Sequence, residues 1–219
     1  MNQTQDFTKG VIWKQLLFFF FPILIGSFFQ QLYNTVDTII VGQAVGTSAL
    51  AAVGSTGNLT SLIVNFYVGL STGASVVIAQ YYGAQNEKKI HQAVHTSYML
   101  AIVSGILMML FGLFFSYQCL DAIGTPHDIL NDATLYMQLY FLCMIPGAIY
   151  NIGAGILRAV GDSKRPLYYL IVCSIVNVVF DFIFVVIFHQ GIAGAAIATV
   201  IAQFVCAILV TIQLMRTKA

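Results

Sequence analysis

Charged residues are scarce in this sequence, and their scarcity excludes most kinds of soluble protein. Only 8% of the 219 residues are Asp, Glu, Lys or Arg, against about 25% in soluble domains. The net charge is +1 and there is no basic tract, which argues against a nucleic-acid partner. The four cysteines, Cys119, Cys143, Cys173 and Cys206, stand singly. Their spacing indicates neither a disulfide nor a zinc site, and we interpret them as small buried hydrophobic residues.

The motifs of catalysis are also missing from the sequence. It contains no GxxxxGK[ST] phosphate-binding loop, no HExxH and no GxSxG, so neither an ATP-driven motor nor a hydrolase is indicated. We therefore expect no enzyme activity, no organic cofactor and no metal apart from a coupling ion.

Long apolar segments dominate what is present. The sequence is 59% hydrophobic with a mean hydropathy of +0.87, which is typical of an integral membrane protein. A membrane-spanning helix needs about 20 mostly apolar residues, and six segments meet that need. The predicted fold is therefore all-α and polytopic, with an N-terminal segment 1–14, a six-helix membrane lobe 15–214 and a tail 215–219. The six predicted spans are 15–42, 50–80, 92–117, 131–157, 167–188 and 192–214.

The basic residues support this count of spans. With six spans, all of them fall on one side of the membrane, at the two termini and in loops 2–3 and 4–5. They are Lys9, Lys14, Lys88, Lys89, Arg158, Lys164, Arg165, Arg216 and Lys218. The positive-inside rule then predicts a multi-pass plasma-membrane protein with both termini in the cytoplasm.

Two charged residues lie well inside the predicted spans, Asp37 in the first and Asp181 in the fifth. At about 1.5 Å per residue, both lie about 12–14 Å or less from the outer ends of their helices. An ionised side chain in hydrocarbon costs free energy, so an acid inside a membrane span is interpreted as functional by default. Two parallel helices that place their acids at one depth therefore indicate a common site.

Other polar residues share the helix faces of these acids. Gln30 and Tyr33 precede Asp37 by seven and four residues, Asn177 precedes Asp181 by four, and residues four apart lie on one face. Thr199 in the sixth span lies at a similar depth, about 12 Å. This cluster suits a proton, because a carboxyl withdrawn from water is readily neutralised, and equally a hard cation such as Na⁺, which prefers oxygen ligands. The alternative is that each acid caps a broken helix or pairs structurally with Asn and Tyr.

Prolines and small residues predict bending and close packing. Pro22 lies inside the first span and Pro146 inside the fourth, and each removes a backbone donor from its helix. Gly69 and Gly73 in the second span and Gly194 in the sixth are expected to let neighbouring helices approach closely.

Several stretches resemble the N-terminal lobe of the multidrug and toxic compound extrusion (MATE) transporters. They are FPILIGSFFQQLYNTVDTIIVGQAVGTSALAAVG (21–54), the loop ILRAVGDSKRP (156–166), NVVFDFIFV (177–185) and GIAGAAIATVIAQ (191–203). The resemblance covers nearly the whole chain. It implies one six-helix lobe of a two-lobe transporter that expels small organic, often cationic, compounds in exchange for H⁺ or Na⁺.

The resemblance also implies residue roles. Asp37 and Asp181 match the acids that bind the coupling cation. The polar residues expected to line that site are Gln30, Tyr33, Tyr136, Asn151, Asn177 and Thr199. Asn151 lies seven residues before Arg158, so it is expected deeper than the acids unless the kink at Pro146 moves it. Pro22 and Pro146 are the expected hinges.

The family has twelve helices in two lobes, whereas this sequence holds six. We expect either a fragment of a longer protein or pairing of two copies, with the bilayer and a second six-helix lobe as partners. Two alternative functions stay open. A lipid-linked saccharide flippase of the same superfamily would need cationic residues in its spans, which the sequence lacks. A non-transporting membrane scaffold would show no gradient-dependent flux.

Overall fold

The computed structural model describes residues 11–216, so Lys9, Lys218 and parts of the predicted terminal segments 1–14 and 215–219 lie outside the described residues. Within this range the chain is nearly all helical, without a β-strand. Its elements are α1 (Ile12–Ala44), α2 (Thr47–Gly83), α3 (Glu87–Ala122), α4 (Leu130–Phe141), α5 (Met144–Ala159), α6 (Lys164–Asp181), a π-helical segment (Phe182–Ile187) and α7 (Gly191–Arg216).

Five of these helices are long and apolar enough to cross a membrane: α1, α2, α3, α6 with its π-helical extension, and α7. The shorter α4 and α5 make a sixth span if they are taken together, with a bend of 50° between them. The predicted spans fall on these helices, and the fourth falls on the bent pair. Large apolar side chains such as Phe28, Leu107 and Phe114 are exposed on the outside, where the bilayer provides their solvent.

The bend in the fourth span has a local cause in the sequence. Pro146 has no N–H to donate to the carbonyl four residues earlier, that of Leu142, and its ring crowds that turn. Helix α4 ends at Phe141, and α5 begins at Met144. Pro22 has no comparable effect, because α1 continues through it from Ile12 to Ala44.

Helices approach closely at some of the glycines where this was expected, but not at others. A Cβ on Gly194 would lie 3.0 Å from Phe184, as close packing requires, whereas a Cβ on Gly69 or Gly73 would meet nothing within 4 Å. The prediction that Gly69 and Gly73 permit close approach is therefore wrong, because they face away from the neighbouring helices. Gly105 makes a close contact that the sequence did not indicate, since a Cβ there would lie 2.8 Å from the Cα of Ile145.

Hydrogen bonds between helices bring the basic residues to one end of the bundle. Tyr169 Oη near the start of α6 donates to Gln213 Oε1 near the end of α7 (3.2 Å). Tyr98 Oη near the start of α3 pairs with Thr211 Oγ1 of α7 (3.4 Å). The starts of α3 and α6 and the end of α7 carry five basic residues, and Arg158 lies at the end of α5, just before α6. We refer to this side as the basic end.

Cys173 of α6 and Cys206 of α7 form a disulfide, with Cα atoms 5.9 Å apart, inside the usual range for such bonds. The prediction that the cysteines are only small buried hydrophobic residues is wrong for this pair. Their separation of 33 residues carries no recognisable signal, since their proximity results from the packing of α6 against α7. Cys119 and Cys143 are free.

Candidate functional site

The two acids of the membrane segments both lie in the interior of the bundle. Asp181 is the last residue of α6 and is fully buried, and Asp37 of α1 is 8% exposed. The two carboxyl groups lie within electrostatic range of each other. Two buried carboxyls that interact electrostatically repel when both are ionised, so a bound proton or cation would stabilise the arrangement.

The backbone changes form directly after Asp181. The turns of Phe182–Ile187 are π-helical, with the Phe188 N–H donating to the carbonyl of Ile183 at 2.9 Å. π-Helical turns are rare and occur frequently at functional sites. Asp181 therefore lies at the junction between α6 and these wider turns.

Asn177 and Thr199 connect α6 to α7 beside this acid. Asn177 lies one turn before Asp181 and is 2% exposed. Its Nδ2 donates to Thr199 Oγ1 at 3.4 Å, and Thr199 Oγ1 in turn donates to the carbonyl of Ala195 at 3.1 Å. With Nδ2 engaged, the Oδ1 atom of Asn177 has no hydrogen-bond partner within residues 11–216.

Tyrosines of α1 and α4 complete the wall of the site. The Tyr33 phenol lies near the side chain of Gln30, one turn closer to the basic end. Tyr136 of α4 is 6% exposed and lies within electrostatic range of Asp37, Asp181 and Tyr33. The structure thus brings together predicted site residues from α1, α4, α6 and α7.

Asn151 is held elsewhere. Its Nδ2 donates to the carbonyl of Gly147 (2.9 Å), and its own carbonyl accepts from Ser71 Oγ of α2 (2.6 Å). No hydrogen bond among residues 11–216 joins it to either acid. It lies on α5, beyond the bend in the fourth span.

One polar residue of this region was not among the predicted site residues. Gln203 lies on α7 one turn after Thr199, and its Oε1 is buried without a hydrogen-bond partner in the described part of the chain. The spacing of four residues from Thr199 was visible in the sequence and is the signal that could have identified it.

The unpaired oxygens of the interior are concentrated here. Within residues 11–216, Asp37 Oδ1, both carboxyl oxygens of Asp181, Asn177 Oδ1 and Gln203 Oε1 are buried without a hydrogen-bond donor. A buried acceptor left without a partner costs about 1–3 kcal/mol. All of these atoms are acceptors, so a proton, a hydrogen-bond donor or a cation would satisfy them.

Comparisons with known proteins agree with one another. Residues 22–183 match the family model described as MatE. The probable multidrug resistance protein YoeA of Bacillus subtilis is 30% identical over 98% of this chain and 47% of its own length. A solved MOP superfamily transporter from Pyrococcus furiosus has a TM-score of 0.91 and 27% identity over 100% of this chain and 48% of its own. That transporter is described as having a binding pocket of reverse polarity, which suggests a different function. A crystal structure of MATE in the bent conformation has a TM-score of 0.87 and 28% identity over 93% and 46% of the two chains. The chain thus spans about half the length of each.

Proposed function

This chain belongs to the MatE family, and from that premise we propose that it takes part in secondary active efflux of small organic, often cationic, compounds. The exchanged ion is H⁺ or Na⁺, bound at Asp37 and Asp181. The observation that carries the proposal is the pair of buried acids within electrostatic range of each other, surrounded by unpaired oxygens. YoeA, a probable multidrug resistance protein, supports the choice of substrate class.

Alternating access explains how a cation at this site drives transport. When H⁺ or Na⁺ neutralises the acids, α1 and α6 lose their mutual repulsion and pack more closely. The missing backbone donors at Pro22 and Pro146 give α1 and the fourth span places to bend. Coupling requires only that the two conformations differ in cation affinity.

Two further parts of the proposal concern partners and orientation. The relatives are about twice as long as this chain, so we propose that a second six-helix lobe, either a C-terminal half or a second copy, encloses the substrate path. The basic end faces the cytoplasm by the positive-inside rule, which places both termini of this plasma-membrane protein inside the cell.

The positions of the basic side chains argue against a flippase for phosphate-linked saccharides. Such a protein needs basic residues within its membrane interior to hold a phosphate. In the described part of the chain, every Lys and Arg lies in the first or last turn of its helix, as Arg158 does in α5 and Lys164 in α6.

The experiment is a chromosomal Asp37→Asn substitution in the source cells, which leaves the protein otherwise as it exists there. The substitution removes a charge that must change during coupling, so we expect loss of resistance to toxic organic cations and loss of efflux of a preloaded fluorescent cation. Asp121→Asn, at an exposed position where α3 ends, is the matched control and should behave as wild type. Full resistance in Asp37→Asn cells, with normal protein level in the membrane, would refute the assignment.

A further inference from the structure

Gln203 is the one buried, unpaired oxygen of the candidate site that has no assigned role. It follows Thr199 by one turn on the same face of α7. The Thr199 hydroxyl accepts the Asn177 hydrogen bond at 3.4 Å. Gln203 is therefore the next residue along the face of α7 that contacts the acid-containing site.

The opposite wall at this point is α5. A Cβ on Gly147 would lie 3.8 Å from Gln203 Oε1, so the oxygen points at the backbone of α5 just beyond the bend. The preceding residue, Pro146, leaves the carbonyl of Leu142 without its helical N–H donor. Gln203 thus extends the group of oxygens from the acids towards the broken fourth span.

Amide oxygens and carboxyl oxygens differ in how they bind a proton and a metal cation. A proton on a carboxyl creates one O–H donor and satisfies one acceptor, whereas the amide oxygens of Asn177 and Gln203 are too weakly basic to take up protons near neutral pH. Hard metal cations gather about six oxygen ligands, neutral amide oxygens included. A neutral oxygen added to two carboxylates therefore favours a metal cation and contributes little to proton binding.

We propose that Gln203 is a selectivity residue of the cation site, and that its amide oxygen contacts Na⁺ bound beside Asp37, Asn177 and Asp181. This inference rests on the proposed cation coupling and adds the choice of ion. Loss of the oxygen weakens Na⁺ binding and leaves proton binding at the two acids intact.

The test measures Na⁺ binding to the purified full chain in detergent. The thermal unfolding midpoint is followed as NaCl replaces KCl at constant ionic strength, since a ligand that binds only the folded state stabilises it. Proton uptake is followed in parallel with a pH indicator. We expect Na⁺-specific stabilisation of the wild type, and in Gln203→Met a half-maximal Na⁺ concentration raised about tenfold or more, the size of effect seen when partners of metal sites are altered. Proton uptake should be unchanged.

Three variants serve as controls. Gln203→Glu keeps an oxygen at the position and should retain Na⁺ binding. Gln213→Met makes the same substitution on the same helix at the basic end, where Gln213 Oε1 accepts from Tyr169 at 3.2 Å, and should leave the Na⁺ concentration dependence unchanged. Asp181→Asn should lose the Na⁺ effect. If Gln203→Met does not fold, Gln203→Asn, which withdraws the oxygen by one carbon, provides the same comparison.

Wild-type Na⁺ dependence in Gln203→Met, together with its loss in Asp181→Asn, overturns the role of Gln203 and leaves the cation site in place. Proton uptake by the wild type without any Na⁺ effect also overturns it, while coupling to H⁺ stands. The absence of both ion effects in the wild type defeats the proposed function as well as this inference.

Discussion

The side chain of Thr199 orients the amide of Asn177 in the interior of the bundle. Its hydroxyl accepts from Asn177 Nδ2 and donates to the carbonyl of Ala195, so it fixes the orientation of the Asn177 amide. The amide then presents its Oδ1 as an acceptor without a partner in the described chain. The polarity of the site beside Asp181 therefore depends on a residue that carries no charge.

Thr199→Val should destabilise the folded protein. The substitution keeps the shape and leaves the buried Nδ2 of Asn177 without an acceptor, which costs about 1–3 kcal/mol. The midpoint of thermal unfolding in detergent should fall, while Thr199→Ser, which keeps the hydroxyl, should remain close to wild type. Thr96→Val is the matched control, because the exposed Thr96 hydroxyl only donates to Gln92 of its own helix (2.8 Å). Equal effects of the two valine substitutions would contradict the assigned role.

At the scale of helices, backbones approach closely at a few glycines. At Gly105 a Cβ would lie 2.8 Å from the Cα of Ile145, which joins α3 to the start of α5. The neighbouring atom is backbone and cannot rotate away. Gly69 of α2 has only open space around it, so its backbone has no such constraint.

Gly105→Ala and Gly69→Ala should therefore act in opposite directions. Alanine at 105 must push α5 away, and overpacking of this kind costs about 1–3 kcal/mol. Alanine at 69 meets nothing and improves helix propensity, which favours folding by up to about 1 kcal/mol. Thermal unfolding of the two variants in one detergent provides the comparison. A stability of Gly105→Ala equal to that of wild type would show that the α3–α5 contact is not tight.

These elements also show what a sequence can predict. The apolar runs and the depths of Asp37 and Asp181 follow from composition and from the rise of a helix, so the all-α fold is confirmed and the two acids were identified as a pair. The direction in which Gly69 faces and the pairing of Cys173 with Cys206 depend on how each helix is rotated against its neighbours. Apolar surfaces on every side of a membrane helix leave that rotation unspecified. Gln203 is a different case, since its spacing of four residues from Thr199 was visible in the sequence and places both residues on one helix face.

Across the whole molecule the polar features are distributed unevenly between the two ends. The first turn of α6 and the last turn of α5 contribute Lys164, Arg165 and Arg158 at the basic end. Asp181 lies 17 residues after Lys164, about 26 Å along the helix, in a bilayer whose hydrocarbon core is about 30 Å thick. If the basic end faces the cytoplasm, the candidate cation site lies in the outer half of the membrane, on the side from which ions that return down their gradient arrive.

This orientation predicts which loops react from outside the cell. In a Cys119→Ser background, His127→Cys should react with a membrane-impermeant maleimide in intact cells, because His127 is exposed between α3 and α4 at the end opposite the basic one. Lys164→Cys, exposed at the basic end, should react only after the cells are permeabilised. The measurement is the mass shift of the purified protein, with permeabilised cells as the control for intrinsic reactivity. Labelling of Lys164→Cys but not of His127→Cys in intact cells would invert the orientation, place the acids near the cytoplasm and require the coupling ion to enter from the other side.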